Sequence, residues 1–172
     1  KGLNLNAGWD GTYRQFVFDE LSGKFYQFYY EDMTEIDANG KSFPGYKAFY
    51  GEDTYQKNLC FAAINNGMVS KLCTFDLNNL ESNTTVVNDV DASLVNAKSR
   101  FFILRNVPYV YFTNATGLYK YNILNVQSQI APNEGDRICS LSDFGYDSSA
   151  KIADACMHRS EKKMLLSVSR YG

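Results

Sequence analysis

The 172 residues are 45% hydrophobic and 21% charged, a balance that excludes a disordered chain and allows a core. A net charge of −2 and a pI of 5.4 exclude the basic footprint that phosphate backbones or anionic membranes attract, so no nucleic-acid partner is expected. No apolar run approaches the roughly 18 residues of a membrane helix, so no membrane-spanning segment is expected either.

The main compositional deviation is 13 Tyr and 12 Phe beside a single Trp, residue types that favour pleated, half-buried surfaces and so predict strands. The chain opens on Lys1 rather than Met, with no signal-peptide pattern after it, so a processed or truncated start is expected.

In chain order, the first predicted strands are Tyr13 to Asp19 and Lys24 to Tyr30, joined through Leu21-Ser22-Gly23. Tyr46 to Tyr50 follows, then the hairpin Leu59 to Ile64, Asn65-Asn66-Gly67, Lys71 to Leu77. An Asn-Gly pair suits a two-residue type I′ turn, which needs positive φ at both central positions. With Asn66 and Gly67 as those two, Ile64 faces Val69 and Cys60 faces Cys73. Thr84 to Asn88 reads as the next strand, Asp91 to Arg105 as a short, interrupted helix-like pattern, and Arg100 to Leu104 as a strand. Pro108 to Thr113 and the segment from Gly117 form a third hairpin through Asn114-Ala115-Thr116-Gly117. Val126 to Ile130 and Arg137 to Leu141 are further strand candidates, the first following that hairpin and the second preceding the last one. The fourth hairpin is Ile152 to His158, a turn at Arg159 to Lys162, and Met164 to Val168.

These hairpins recur in step. The segments around Phe25, Leu72, Leu118 and Met164 lie 46 or 47 residues apart. Antiparallel units of three or four strands repeating at that length match the blades of a β-propeller, because one small sheet cannot bury both faces until neighbours stack on it. The expected fold is therefore all-β: a β-propeller or propeller fragment of about four antiparallel blades with a 46-residue repeat, a single domain over 1–172 belonging to a longer chain. An immunoglobulin-like sandwich also has short, evenly spaced strands, but carries no such internal period. A closed four-bladed ring and a segment of a longer propeller both remain open, and the segment is favoured.

Tyr109-Val110-Tyr111-Phe112-Thr113-Asn114-Ala115-Thr116-Gly117-Leu118-Tyr119-Lys120-Tyr121-Asn122 resembles the blade repeats of PKD-like family lipoproteins of gut bacteria. The resemblance covers about the last two thirds of the chain. It implies an extracytoplasmic location at the bacterial surface or in the periplasm, with a lipid anchor on the full-length precursor. It also implies a binding or scaffolding role beside other surface proteins of a glycan-uptake system, and no catalytic residues. The four-bladed hemopexin repeat is a poorer match, because Asp91-Ala92 and Asp154-Ala155 fall out of phase with the hairpins.

Candidate chemistry is sparse. His158 is the only histidine, which excludes a His-cluster metal site and leaves one imidazole for any triad. It lies beside a charged turn, where a solvated imidazole is the default. Cys60, Cys73, Cys139 and Cys156 show no metal or redox spacing. Buried thiols are the default, although the hairpin register above would let Cys60 and Cys73 bond. Asp143-Phe144-Gly145 matches a kinase tripeptide in letters only. Asn88-Asp89-Val90-Asp91 lacks the further ligands of a calcium loop. Asn83-Thr84-Thr85 and Asn114-Ala115-Thr116 fit the glycosylation pattern. No metal and no cofactor is expected.

Asp10, Asp19, Glu20, Glu31, Asp32, Glu35 and Asp37 crowd the N-terminal part, and two held about 5–10 Å apart would suit a glycosidase. Trp9, flanked by Asp10 in the Gly-rich stretch Asn6 to Gly11, is the named candidate for an aromatic platform that stacks on a sugar while its neighbour accepts hydroxyl hydrogen bonds. The leading expectation is a non-catalytic binding or scaffold module with a glycan ligand, bound through Trp9 and Asp10. The alternatives are a glycan-acting hydrolase using a carboxylate pair, and a protein-interaction platform.

Overall fold

The computed structural model describes residues 2–3, 14–29, 35–37, 42–49, 59–76, 85–104, 107–158, 160 and 162–170. Among them, strands β1 (Gly2–Leu3), β2 (Arg14–Asp19), β3 (Lys24–Tyr29) and β4 (Glu35–Asp37) form a first sheet. β5 (Lys47–Phe49), β6 (Leu59–Asn66), β7 (Val69–Asp76) and β8 (Thr85–Val90) form a second, and β9 (Phe101–Ile103), β10 (Tyr109–Thr113), β11 (Gly117–Asn122) and β12 (Arg137–Ser140) a third. β13 (Ala150–Met157) and β14 (Met164–Arg170) pair as a fourth. Every sheet is antiparallel with its strands in chain order, so the chain is all-β and each sheet is a meander.

The second sheet is covered on both faces. On one side Ala62, Ile64, Cys73 and Phe75 bury against Phe18 and Phe25 of the first sheet and Phe43. The Phe25 ring lies 4.7 Å from Phe18 and 4.4 Å from Phe75. On the other side Phe61, Ala63, Leu72 and Val87 bury against Phe101, Val110, Phe112, Tyr119 and Tyr121 of the third sheet. Side chains alternate faces along a strand, so Ala62 and Ala63 are both fully buried in different clusters. That is why β6 reads as a continuous apolar run, whereas β11 of the third sheet alternates between its buried residues and Leu118, Lys120 and Asn122. Each large side chain taken from water here is worth roughly 1.5–3 kcal/mol.

The β6–β7 register differs from the expected one by two residues. Ile64 stands opposite Lys71, Cys73 opposite Ala62, and Cys60 opposite Phe75, so Cys60 and Cys73 are not the cross-strand partners the expected register made them, and Cys73 is buried. Two causes act together. The central turn residues are Gly67 and Met68, with Gly67 alone at positive φ (67°), the arrangement of a II′ turn that needs Gly only at its first central position. The observed register also sets the buried Asn65 opposite Ser70, whose Oγ accepts from Asn65 Nδ2 at 2.8 Å. The expected register would have left that buried amide without this partner, at a cost of about 1–3 kcal/mol.

Two other expected strands are corrected. Arg137–Ser140 closes the third sheet against β11 rather than opening the fourth. Val126 to Ile130 is not a strand. Leu124–Gln127 form a helical turn, α1, with Asn122 Oδ1 accepting from Leu124 N and Asn125 O from Ile130 N. Ile123 and Val126, three apart, both bury in the cluster between the second and third sheets, which is helical rather than strand spacing.

The last strand of each complete sheet holds one residue more than its partner: Ile36 in β4, one residue at Asn88-Asp89 in β8, and Ile138 in β12. β13 likewise bulges at Ala153. Asp89 takes φ 54°, a conformation Asp tolerates better than most residues.

Candidate functional site

In a four-stranded meander the turn between the second and third strands and the segment leading to the next sheet leave from the same end. Here those pieces bond to one another in sequence. Phe43 N donates to Gly23 O at 2.6 Å and Ser42 Oγ to Ser22 O at 2.9 Å, tying the β2–β3 turn to the segment before β5. Ser70 Oγ donates to Val95 O, and Asn114 Nδ2 to Ser93 O at 3.2 Å, so residues 91–99 bridge the β6–β7 and β10–β11 turns. Leu141 N donates to Thr116 O and Ile152 N to Ala115 O, both at 2.8 Å, which joins the third sheet to the fourth. The result is one hydrogen-bonded rim running along all four sheets.

Apolar side chains stand out from it. Leu21 is 95% exposed, Met68 85% and Phe144 65%. Leu21, Met68 and Ala115 are spaced 47 residues apart at the tips of successive turns. They were detectable in the sequence as equivalent positions of the repeat, but exposed apolar residues at turn tips look like strand residues when only hydrophobicity is read.

The rim carboxylates serve their own turns. Asp19 accepts from Leu21 N at 3.1 Å, Ser22 N at 3.2 Å and Ser22 Oγ at 2.6 Å. Asp91 accepts from Ser93 N at 2.8 Å, Asp143 from Ser140 N at 2.7 Å, and Asp147 from Ser149 N at 2.9 Å. These bonds, led by the Ser22 hydroxyl for Asp19, the Ser93 and Ser140 N–H groups for Asp91 and Asp143, and the Ser149 hydroxyl for Asp147, hold all four carboxyls below their ordinary range. Asp154 is held low chiefly by Arg100, whose Nε lies 2.8 Å away and pins the fourth sheet to the third.

A depressed folded-state pKa means stability that is present above the unfolded value and lost as pH falls through the folded one. The urea midpoint is therefore expected to hold from neutrality to about pH 4, near the ordinary Asp value, and to decline below it. A decline already complete by pH 5 would show that these carboxylates are not the groups responsible.

The residues singled out from sequence are placed as follows. Trp9 and Asp10 lie outside the described residues, as do Glu31, Asp32 and Asn83. Glu35 and Asp37 are strand residues of β4, and Glu20 is half-buried in the β2–β3 turn. His158 is exposed, its Nδ1 accepting from Ser160 N at 3.2 Å. Cys156 is exposed, and Cys139 is half-buried with its thiol pushed up first by burial and then by Asp143. Asp143 and Gly145 of the kinase-like tripeptide cap a 3-10 turn, Gly145 with φ 78°. In the calcium-like stretch, Asn88 Oδ1 accepts from Lys71 Nζ at 2.7 Å while Asp91 caps Ser93. Asn114 is committed internally, its amide donating to Ser93 O and Tyr119 Oη and its oxygen accepting from Thr116 N and Gly117 N. A glycan on its nitrogen would disrupt that arrangement.

Away from the turn tips, an open recess of 250 Å³ lies on the β13–β14 hairpin between Asp154, Cys156, Leu165 and Ser167. Among the described residues, no three His, Cys, Asp or Glu side chains are grouped to hold a metal ion, and no helix is long and apolar enough to cross a membrane. In comparisons with known proteins, no protein-family model, curated protein or solved structure matches the chain.

Proposed function

We propose that this chain is a non-catalytic binding and scaffold module, a β-propeller or a segment of one, working at a bacterial surface or in the periplasm with glycan as its ligand class. The observation that carries the binding reading is the rim. It is a continuous, internally bonded edge on which Asp19, Asp91, Asp143 and Asp147 are spent on their own turns, while the side chains of Leu21 and Met68 are exposed to solvent. A pre-organised edge of this kind loses little conformational freedom on binding. The propeller reading rests on the stacking of repeated meanders, with the second sheet buried on both faces. The glycan and the location rest on the sequence expectation that Trp9 and Asp10 bind sugar and on the resemblance to PKD-like lipoproteins, which also supplies the lipid-anchored precursor and the partner surface proteins.

The protein-platform reading is favoured by one specific observation, the exposed Leu21, Met68 and Phe144. Methionine and aromatic residues are enriched at protein interfaces.

A glycan array probed with the wild type and with Trp9→Ala separates the two. The expected result is selective binding to one glycan class, weakened in the variant by about 1–3 kcal/mol, as for loss of an aromatic anchor. Wild-type protein that binds no glycan would remove the glycan reading and leave the protein platform.

A further inference from the structure

Asparagines in the described turns are nearly all tied down. Asn65 donates to Ser70, Asn96 to Ala92 O, and the Asn114 side chain makes five bonds. Asn88, Asn122 and Asn133 each accept one through Oδ1.

Asn66 differs in three respects. It is exposed at the tip of the β6–β7 hairpin, its side-chain amide has no hydrogen-bond partner among the described residues, and the residue after it is Gly67. No Cβ shields the Gly67 nitrogen, and a Cβ built there would meet nothing within 4 Å. The neighbouring Met68 N donates to Asn66 O at 2.6 Å, while no bond from the Gly67 N–H to a described residue occupies that nitrogen.

We propose that Asn66-Gly67 is a spontaneous modification site, at which the rim ages by succinimide formation. The Gly67 nitrogen loses its proton and attacks Asn66 Cγ. A new N–Cγ bond forms, the Cγ–Nδ2 bond breaks, and Nδ2 leaves as ammonia carrying the proton. Water then opens the five-membered imide at either carbonyl, giving Asp or isoaspartate at position 66. No oxidant, metal or enzyme is required.

Both products put a negative charge on the turn that presents Met68. Isoaspartate also routes the backbone through Cβ, adding an atom to the chain between β6 and the turn. That addition is incompatible with the Met68 N to Asn66 O bond and with the Asn66–Val69 pair that ends the ladder. The site is independent of what the rim binds.

The test is to incubate the folded protein in mildly alkaline buffer and digest it with trypsin, which releases the peptide after Lys57 and through Lys71. Isoaspartate is then located by fragment-ion mass spectrometry. Residue 66 is expected to convert ahead of every other asparagine among the described residues, a set that does not include the second Asn-Gly pair, Asn39-Gly40. Asn66→Gln, which would need a slower six-membered closure, is expected to abolish conversion in that peptide while the circular dichroism of the sheet is retained. Another of the described asparagines converting before residue 66 in the folded protein overturns the proposal, as does conversion at 66 only after unfolding in urea.

Discussion

Phe25→Ala is expected to destabilise the protein by about 3–5 kcal/mol, the range for truncating a buried aromatic residue whose surroundings cannot collapse. Phe25 is fully buried, touching Phe18 on its own sheet, Phe75 on the next, and Phe43 at a centroid distance of 6.4 Å in the segment between them. One side chain thus contributes to both walls of the first inter-sheet cluster and to the link that joins them. Because a domain of this kind has only about 5–15 kcal/mol of stability in total, the variant should be marginal. Phe25→Leu, which keeps most of the volume, should retain the fold at a smaller cost. Urea denaturation followed by far-ultraviolet circular dichroism measures both. A loss under about 1 kcal/mol for the alanine variant would mean that the first sheet is not packed on the second as described.

A second large effect is expected from a single added methyl group. Gly23 takes φ 68° at the end of the β2–β3 turn, and a Cβ there would overlap the carbonyl group of Phe43 and the nitrogen of Pro44. These are backbone atoms held by the Phe43 N to Gly23 O bond and cannot swing aside. Gly67 has nearly the same φ, 67°, but open space around it. Gly67→Ala should cost only the roughly 1–2 kcal/mol of a left-handed L-residue. Gly23→Ala should cost that amount plus the displacement of the rim segment, about 3 kcal/mol or more in total. Thermal melts of the two variants side by side provide the check, and equal losses would show that the close approach of Phe43 to Gly23 is absent.

Much of this architecture was legible because a strong local signal and the repeat agreed. All four hairpins lie where the apolar runs put them, three of them around Asn- or Gly-containing turns and the fourth around a charged one, and β5, β8 and β9 follow with only their ends displaced. What was not legible depended on partners distant in sequence or on a choice between equivalent turns. Asn66-Gly67 names a tight turn but not which two residues are central, and the choice was made by Asn65 finding Ser70. Val126 to Ile130 has strand composition, yet Asn122 and Asn125 supply the local oxygens that favour a helical turn. The rim was harder still. Nothing in the sequence around Asp19 distinguishes a catalytic carboxylate from a turn cap until the bonds from Leu21 and Ser22 are seen.

The extra residues at Ile36, at Asn88-Asp89 and at Ile138 recur in the final strand of three successive sheets. A final strand presents a row of free N–H and C=O groups to solvent, a template on which another chain can polymerise. An inserted residue breaks the even spacing that such a templated strand would have to match and twists the edge away from it. On β13 the same role falls to Ala153 and to Asp154, whose carboxylate occupies the Ala155 N–H at 2.9 Å. A chain this rich in tyrosine and phenylalanine strands thereby carries its own protection against fibrillar aggregation, placed at the strands where growth would begin.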